Sequence, residues 1–212
     1  MKWALAAAFL LLEIPLSDTA VREAYFLGQR NDQKTSDFLK LYTRSFPLPD
    51  QGPYISETRL LTPYAQVVAN SSQHSTGYSA QQALADYHRR GDTLLVQVRI
   101  EFTPTYTYDN AVRTANDTAR ELNRHLDPED FWQAFRFTLS QNDQYFEPRD
   151  IRSDPIYVSS YPSDLGPSLR GVLVWLEFDA APFESESAPV QVEVVPLATN
   201  HVVAKFDLAK LR

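Results

Sequence analysis

The most regular alternation of apolar and polar positions covers residues 93–103, which read T-L-L-V-Q-V-R-I-E-F-T. Successive side chains of a β-strand point to opposite faces of its sheet, so this segment divides into two faces. One face is wholly apolar and the other mostly polar; the apolar face holds Leu94, Val96, Val98, Ile100 and Phe102. The pattern predicts a strand with one solvated face and one buried face, and other parts of the chain must cover the buried one.

Further segments have the period or the composition of strands. They are residues 55–61, 64–69, 131–139, 150–158, 171–178, 190–194 and 202–208. The segment 171–178 is almost entirely apolar, as expected of a strand that is covered on both faces. Pro63 separates the first two segments, and a proline in such a run indicates an edge, a bulge or a bend between sheets.

Two segments have helical periodicity instead. In residues 79–90, Ser79 and Gln82 have the spacing of a capping box, and Gly91 is a common helix stop. Asp86 and Arg90 lie four residues apart, so we expect them to form an ion pair on the helix surface. Apolar residues also recur at three- and four-residue spacing over residues 110–126, which predicts a second helix ending before a proline.

Strands that follow one another across short turns, with the helices inserted early, favour an antiparallel arrangement over βαβ units. The two-faced strands suggest two packed sheets. We therefore predict a mainly β protein, an antiparallel β-sandwich of immunoglobulin-like architecture with two or three accessory helices. The chain has no cysteine, so the cysteine–tryptophan–cysteine feature of antibody domains is missing and the prediction concerns architecture alone.

The N-terminus has features of an export signal. Lys2 precedes an apolar run over residues 3–12, a length that suits a signal-peptide core and is too short for a membrane span. Glu13 interrupts the run, and cleavage after Ala20 would place Asp18 where a small residue is preferred. The alternative is an N-terminal helix packed on the fold. We predict that residues 1–20 form the signal peptide or N-terminal helix, that residues 21–53 form a helical or extended linker, and that residues 54–212 form the sandwich domain.

The charge and composition of the chain argue against some classes of binding partner and site. The formal net charge of −7 argues against nucleic acid, which is usually bound by a basic patch. The absence of cysteine removes disulfides, thiolate metal sites and cysteine nucleophiles together. We expect no nucleic-acid partner and no membrane span in the mature chain.

No catalytic, metal or cofactor motif is recognisable. The histidines lie far apart in the sequence, and His74, in a polar loop, is the first of them to test. The G-x-S-x-G and phosphate-loop motifs are absent. Acidic residues cluster at 127–130 and again over 143–154, but a glycosidase needs a defined carboxylate separation that sequence does not supply. We predict no catalytic residue, no metal site and no cofactor.

Tyr106 and Tyr108 are the candidate binding residues. They lie two positions apart in a predicted loop, where an extended backbone would project both rings to one side. Tyrosine is enriched where proteins meet ligands, and loops of a sandwich commonly carry binding sites. The alternative is that these rings cap the open end of the core.

These observations leave three interpretations of function. The first is a non-enzymatic exported module, periplasmic or secreted, that binds a protein or a glycan or assembles within an envelope complex. The second is a hydrolase that uses dispersed carboxylates on a β-sandwich scaffold. The third is a cytoplasmic structural domain whose N-terminal helix packs on the core.

Overall fold

A computed structural model of the chain contains two antiparallel sheets and a group of helices packed beside them. It describes residues 14–74, 76–106, 108–123, 127–159, 167–183, 188–196 and 201–212. Within these residues, strand accounts for 38% and helix for 36% of the structure. The protein is thus mainly β, as predicted, but its helices are a substantial part of the fold rather than two or three accessories.

Five α-helices lie within the described residues: α1 (Asp18–Arg30), α2 (Gln33–Lys40), α3 (Pro63–Gln73), α4 (Ala80–Arg90) and α5 (Tyr108–Leu122). The first four begin at polar residues whose side chains accept hydrogen bonds from backbone N–H groups of the first turn. These caps are Ser17, Asp32, Thr62 and Ser79. Each satisfies donors that a helix leaves without an internal partner, which fixes where the helix starts.

In the described part of the chain, nine strands form the two sheets: β1 (Thr43–Ser45), β2 (Pro53–Leu61), β3 (Thr93–Phe102), β4 (Phe135–Gln141), β5 (Gln144–Phe146), β6 (Asp150–Ser159), β7 (Pro167–Asp179), β8 (Val190–Pro196) and β9 (Val202–Phe206). The first sheet has the order β1-β2-β3-β7-β6 and the second the order β5-β4-β8-β9. All pairs are antiparallel.

Both sheets contribute to one hydrophobic core. Leu60 and Ile100 of the first sheet belong to the same buried cluster as Leu139 and Phe206 of the second. Phe131, in a short 3-10 helix (Pro128–Ala134), stacks against Phe102 with ring centroids 4.7 Å apart. A second, smaller cluster joins α1, α3 and α4, so the helices beside the sheets have an apolar core of their own.

The prediction of a strand at residues 64–69 is wrong, because this segment belongs to α3. Val67 and Val68 favoured the strand interpretation through their β-branched side chains. Thr62 instead caps a helix, and Pro63 occupies its first turn, where a missing N–H costs nothing. Packing against α1 then buries the segment, so tertiary contact overrides local propensity.

The helix predicted over residues 79–90 is confirmed, with its capping box and with Gly91 as its C-cap. The prediction of an ion pair between Asp86 and Arg90 is wrong. Asp86 pairs with Arg89 at 3.1 Å, whereas Arg90 donates a hydrogen bond to Gln66 at 3.0 Å. The second predicted helix corresponds to α5, which begins two residues earlier than expected and ends at Leu122.

The apolar face of β3 is buried as predicted, but the opposite face is only partly solvated. Thr93, Leu95 and Gln97 on that face are buried, and only Arg99 and Glu101 are partly exposed. Gln97 lies between its cross-strand partners Arg59 and Trp175. The two-faced pattern therefore holds only toward the C-terminal end of the strand.

The predicted export segment lies mostly outside the described residues, since residues 1–13 are not among them. Leu16 is packed on the helices, and its backbone N–H donates to the Tyr87 hydroxyl at 2.8 Å. α1 crosses the predicted boundary at residue 20, and α2 and β1 fill much of the predicted linker. None of the helices among the described residues is long and apolar enough to cross a bilayer.

Candidate ligand-binding cleft

A polar cleft of about 570 Å³ opens where α3 and α4 meet the first sheet. The helices contribute one wall, and the start of β6 with the end of β7 contributes the other. Its lining is Asn70, His74, Tyr78, Asp86, Arg89, Arg90, Arg149, Asp150 and Glu177. The volume lies within the range of small-molecule sites, and the charged lining suits a polar rather than an apolar ligand.

Tyr78 lies at the centre of the helical wall, in the connection between α3 and α4. Its hydroxyl accepts a hydrogen bond from Asn70 Nδ2 at 2.8 Å and donates one to Asp86 Oδ2 at 3.0 Å. Burial, together with the neighbouring Asp86 carboxylate, raises the pKa of Tyr78 to about 12. The phenol is therefore neutral at physiological pH, and it joins the end of α3 to the middle of α4.

His74 extends this wall at the C-terminal end of α3. Its Nδ1 lies 2.8 Å from the Asn70 carbonyl oxygen, and its ring centroid lies 5.1 Å from that of Tyr78. A carbonyl can only accept, so Nδ1 carries the proton and Nε2 is the acceptor in the neutral imidazole. Gln29 of α1 donates to the carbonyls of Ser71 and His74, which fixes the backbone at this point.

The three arginines of the cleft differ in their partners. Arg89 is paired with Asp86, and Arg149 is paired with Glu177 at 2.9 Å and with Asp179 at 3.2 Å. Arg90 is held by the amide oxygen of Gln66, a neutral acceptor, and has no carboxylate partner within the described part of the chain. The guanidinium of Arg90 is thus an oriented cation whose charge is not compensated by an ion pair.

The sheet wall carries two carboxylates in an unfavourable arrangement. Asp150 of β6 and Glu177 of β7 are direct cross-strand partners. Like charges opposite each other destabilise a sheet, and of these two carboxylates Arg149 pairs with Glu177 and not with Asp150. For Asp150, no ion pair is found among residues 14–212 as far as they are described. The cleft therefore combines a cation and an anion that are both free for a ligand.

Two carboxylates of the cleft already have partners. Asp86 and Glu177 already engage arginines, and Asp86 also accepts the Tyr78 hydroxyl, so neither is free to act on a substrate. None of the described residues that line the cleft is a serine, threonine or cysteine. Over the described ranges, no group of three or more His, Asp or Glu side chains is placed to hold a metal ion.

The predicted binding residues Tyr106 and Tyr108 lie away from this cleft. They follow the C-terminal end of β3, whereas the cleft adjoins the end of the sheet near Thr93. The ten residues of β3 span roughly 33 Å at about 3.3 Å per residue. Tyr106 packs on Phe102 with ring centroids 5.0 Å apart and donates to the Asn110 carbonyl at 3.0 Å. Tyr108 is the first residue of α5.

A binding role for Tyr106 and Tyr108 remains a prediction. The ring of Tyr106 lies against the hydrophobic core. This is what the alternative interpretation requires, in which the tyrosine rings cap the open end of the core. Thr107, which would determine whether the two rings share a side, lies outside the described residues.

The sequence predicts no binding role for any residue of the cleft. His74, the first histidine to test, does line it. Asp150 belongs to the second acidic cluster, which carried no recognisable motif. Tyr78 and Asn70 lie close in sequence, but their contact depends on residues 64–73 being helical, which the sequence pattern did not indicate.

No protein-family model and no curated protein matches the sequence.

Proposed function

We propose that the protein is an exported, non-enzymatic binding module and that the polar cleft between the helices and the first sheet is its ligand site. One observation carries the proposal: Arg90 and Asp150 offer uncompensated charges of opposite sign in a cleft whose helical wall is fixed by Tyr78. Both side chains are exposed and so can be reached by a ligand, and a cationic group bound near Asp150 would reduce its cross-strand repulsion with Glu177.

The ligand is a polar segment of a protein or a glycan that carries both signs of charge. A carboxylate would bind Arg90, for which a guanidinium offers a forked pair of donors. A ligand ammonium group would lie near Asp150 and Glu177 and reduce their mutual repulsion. Tyr78 and His74 add aromatic surface beside these charges.

The scaffold of the proposal is an immunoglobulin-like sandwich. If β2 to β9 are assigned as strands A, B, C, C′, D, E, F and G, the sheets have the orders A-B-E-D and C′-C-F-G. These orders support the assignment, with β1 as an additional edge strand beside A. The helices α3 and α4 are then an insertion between A and B, and they supply one wall of the cleft.

Export is the second part of the proposal, and it is supported by Lys2 and the apolar run over residues 3–12. It places the binding module in the periplasm or outside the cell, where envelope proteins and glycans are the available partners. Mass spectrometry of the protein from its native host should find a mature chain that lacks the leader. An intact chain beginning at Met1 in the cytoplasm would contradict export without affecting the cleft.

The ligand assignment is tested by calorimetric titration with short peptides in free and blocked forms. We expect a peptide with a free amino and a free carboxyl end to bind, and the acetylated, amidated form of the same peptide to bind at least about tenfold more weakly. Arg90→Gln and Asp150→Asn should each weaken binding of the free peptide by a similar factor.

Two exposed residues away from the cleft provide matched controls. Arg22→Gln on α1 and Asp50→Asn in the loop before β2 make the same chemical changes and should leave binding unchanged. Charged oligosaccharides belong in the same titration series, because a glycan is the other expected ligand. If no probe binds the folded protein, or if the cleft variants behave like the controls, the proposal is wrong.

A further inference from the structure

A second cavity, of about 560 Å³, lies on another side of the molecule between α2, β1, β9 and a short 3-10 helix (Leu208–Lys210). We call it the basic groove; its lining is Asp37, Lys40, Leu41, Arg44, Pro189, Lys205, Asp207, Lys210 and Leu211. It lies beside one edge of each sheet, because β1 is the last strand of the first sheet and β9 the last strand of the second.

Arg44 is a fixed cation in this groove. Its Nε donates to the Lys205 carbonyl at 3.1 Å, and its other donors reach the carbonyls of Leu41 and Thr43 at 3.0 and 2.8 Å. The guanidinium carbon also lies 4.8 Å from the centroid of the Phe206 ring. All these partners are neutral, and no carboxylate pairs with Arg44 in the portion of the chain that is described. Its charge is therefore held in place and left available.

The groove is positive on a protein that is negative as a whole. Lys40, Arg44, Lys205 and Lys210 outnumber the two acids of the lining, whereas the whole chain has a net charge of −7. One acid is already used, because Asp207 pairs with Lys210 at 2.8 Å and this lysine lowers the pKa of Asp207. The apolar part of the lining is formed by Leu41, Pro189 and Leu211.

We propose that the basic groove docks an acidic segment of a partner protein in which carboxylates alternate with apolar side chains. The carboxylates would pair with Arg44 and the lysines, and an apolar side chain would cover Leu41, whose surface is 53% exposed. The two sheet edges favour an extended segment, since edge strands commonly accept one. Asp37 disfavours an evenly charged polyanion, because a nucleic-acid backbone or an anionic membrane could not avoid it.

Fluorescence anisotropy with a labelled peptide of alternating glutamate and leucine tests this docking site. We expect it to bind the full-length protein in low salt, with affinity that falls as salt is added. A peptide with glutamine in place of glutamate should bind at least about tenfold more weakly, and so should the double variant Lys40→Gln/Lys205→Gln. The double variant changes only exposed side chains, so its fold should be retained, and circular dichroism can verify this.

The matched control is Lys34→Gln, which changes an exposed lysine on α2 that does not line the groove. Its affinity for the acidic peptide should equal that of the wild type. Equal binding by the double variant, or no binding by the wild type, would overturn the proposal. Tighter binding to a labelled oligonucleotide or to vesicles of anionic lipid would overturn the choice of partner.

Discussion

At the scale of single residues, Tyr42 connects parts of the fold that are far apart in sequence. It is fully buried, and its hydroxyl donates to the Arg212 carbonyl at 3.0 Å and accepts from the Arg212 backbone N–H at 2.9 Å. The side chain of Arg212 pairs with Glu23 of α1 at 2.7 Å and lies over the ring of Tyr64 in α3. Tyr42 and Arg212 together thereby hold α1 and α3 against the region of β1.

Tyr42 should make stability sensitive to alkaline pH. Burial raises its pKa from 10.0 to about 12, so the folded protein keeps a proton that the unfolded chain releases near pH 10. The stabilisation is complete below pH 10 and is lost as pH rises to about 12; it amounts to about 2–3 kcal/mol. Urea denaturation at successive pH values should show this loss, and Tyr42→Phe should reduce it. Tyr145→Phe, at a side chain that is 70% exposed, should not.

Tyr106 offers a test that separates core capping from binding. Because its ring packs on Phe102, Tyr106→Ala should lower the free energy of unfolding by about 2–3 kcal/mol, which a urea titration measures. Tyr145→Ala, at an exposed side chain, is the control and should lower the free energy of unfolding only slightly. Unchanged stability combined with lost binding of a partner would instead support the predicted binding role of Tyr106 and Tyr108.

At the scale of elements, the contact between α1 and α3 depends on a glycine. Gly28 lies on the buried side of α1, and an added Cβ would meet the Val68 carbonyl oxygen and the Ser71 Cβ of α3. Helix propensity alone predicts that Gly28→Ala stabilises the protein by about 1 kcal/mol. The close approach of backbone atoms reverses this sign, because the two helices would have to separate.

We expect Gly28→Ala to destabilise the protein by about 1–3 kcal/mol, the usual cost of overpacking. Thermal and urea denaturation measure the change, and Arg22→Ala on the exposed side of α1 controls for helix propensity. A more stable Gly28→Ala variant would show that α1 and α3 are farther apart than described.

Elements with strong local determinants could be predicted from the sequence, and those set by distant contacts could not. The helix α4 has its capping box and its glycine stop, and β3 has its apolar alternation, so both were found. The segment 64–69 was mistaken for a strand because its valines favour one, while its helical form depends on burial against α1. The covered N-terminal half of β3 depends likewise on neighbours that are distant in sequence.

At the scale of the whole molecule, antiparallel sheets were predictable and the candidate site was not. Alternation and turn spacing give strands and their general direction, which is why two antiparallel sheets were expected. The cleft instead combines side chains from the α3–α4 region with Asp150 and Glu177, which lie much later in the chain. Only the paired strands β6 and β7 bring these acids together and opposite the helices.

The central claim is that ligand binds in this cleft rather than at the tyrosines beyond the far end of β3. Amide chemical shifts of isotope-labelled protein, followed while a short peptide with free ends is added, test the claim directly. The account predicts that the largest changes occur at Asn70, His74, Tyr78, Arg90 and Asp150. Changes concentrated around Tyr106 and Asn110, or no change at millimolar peptide, would contradict it.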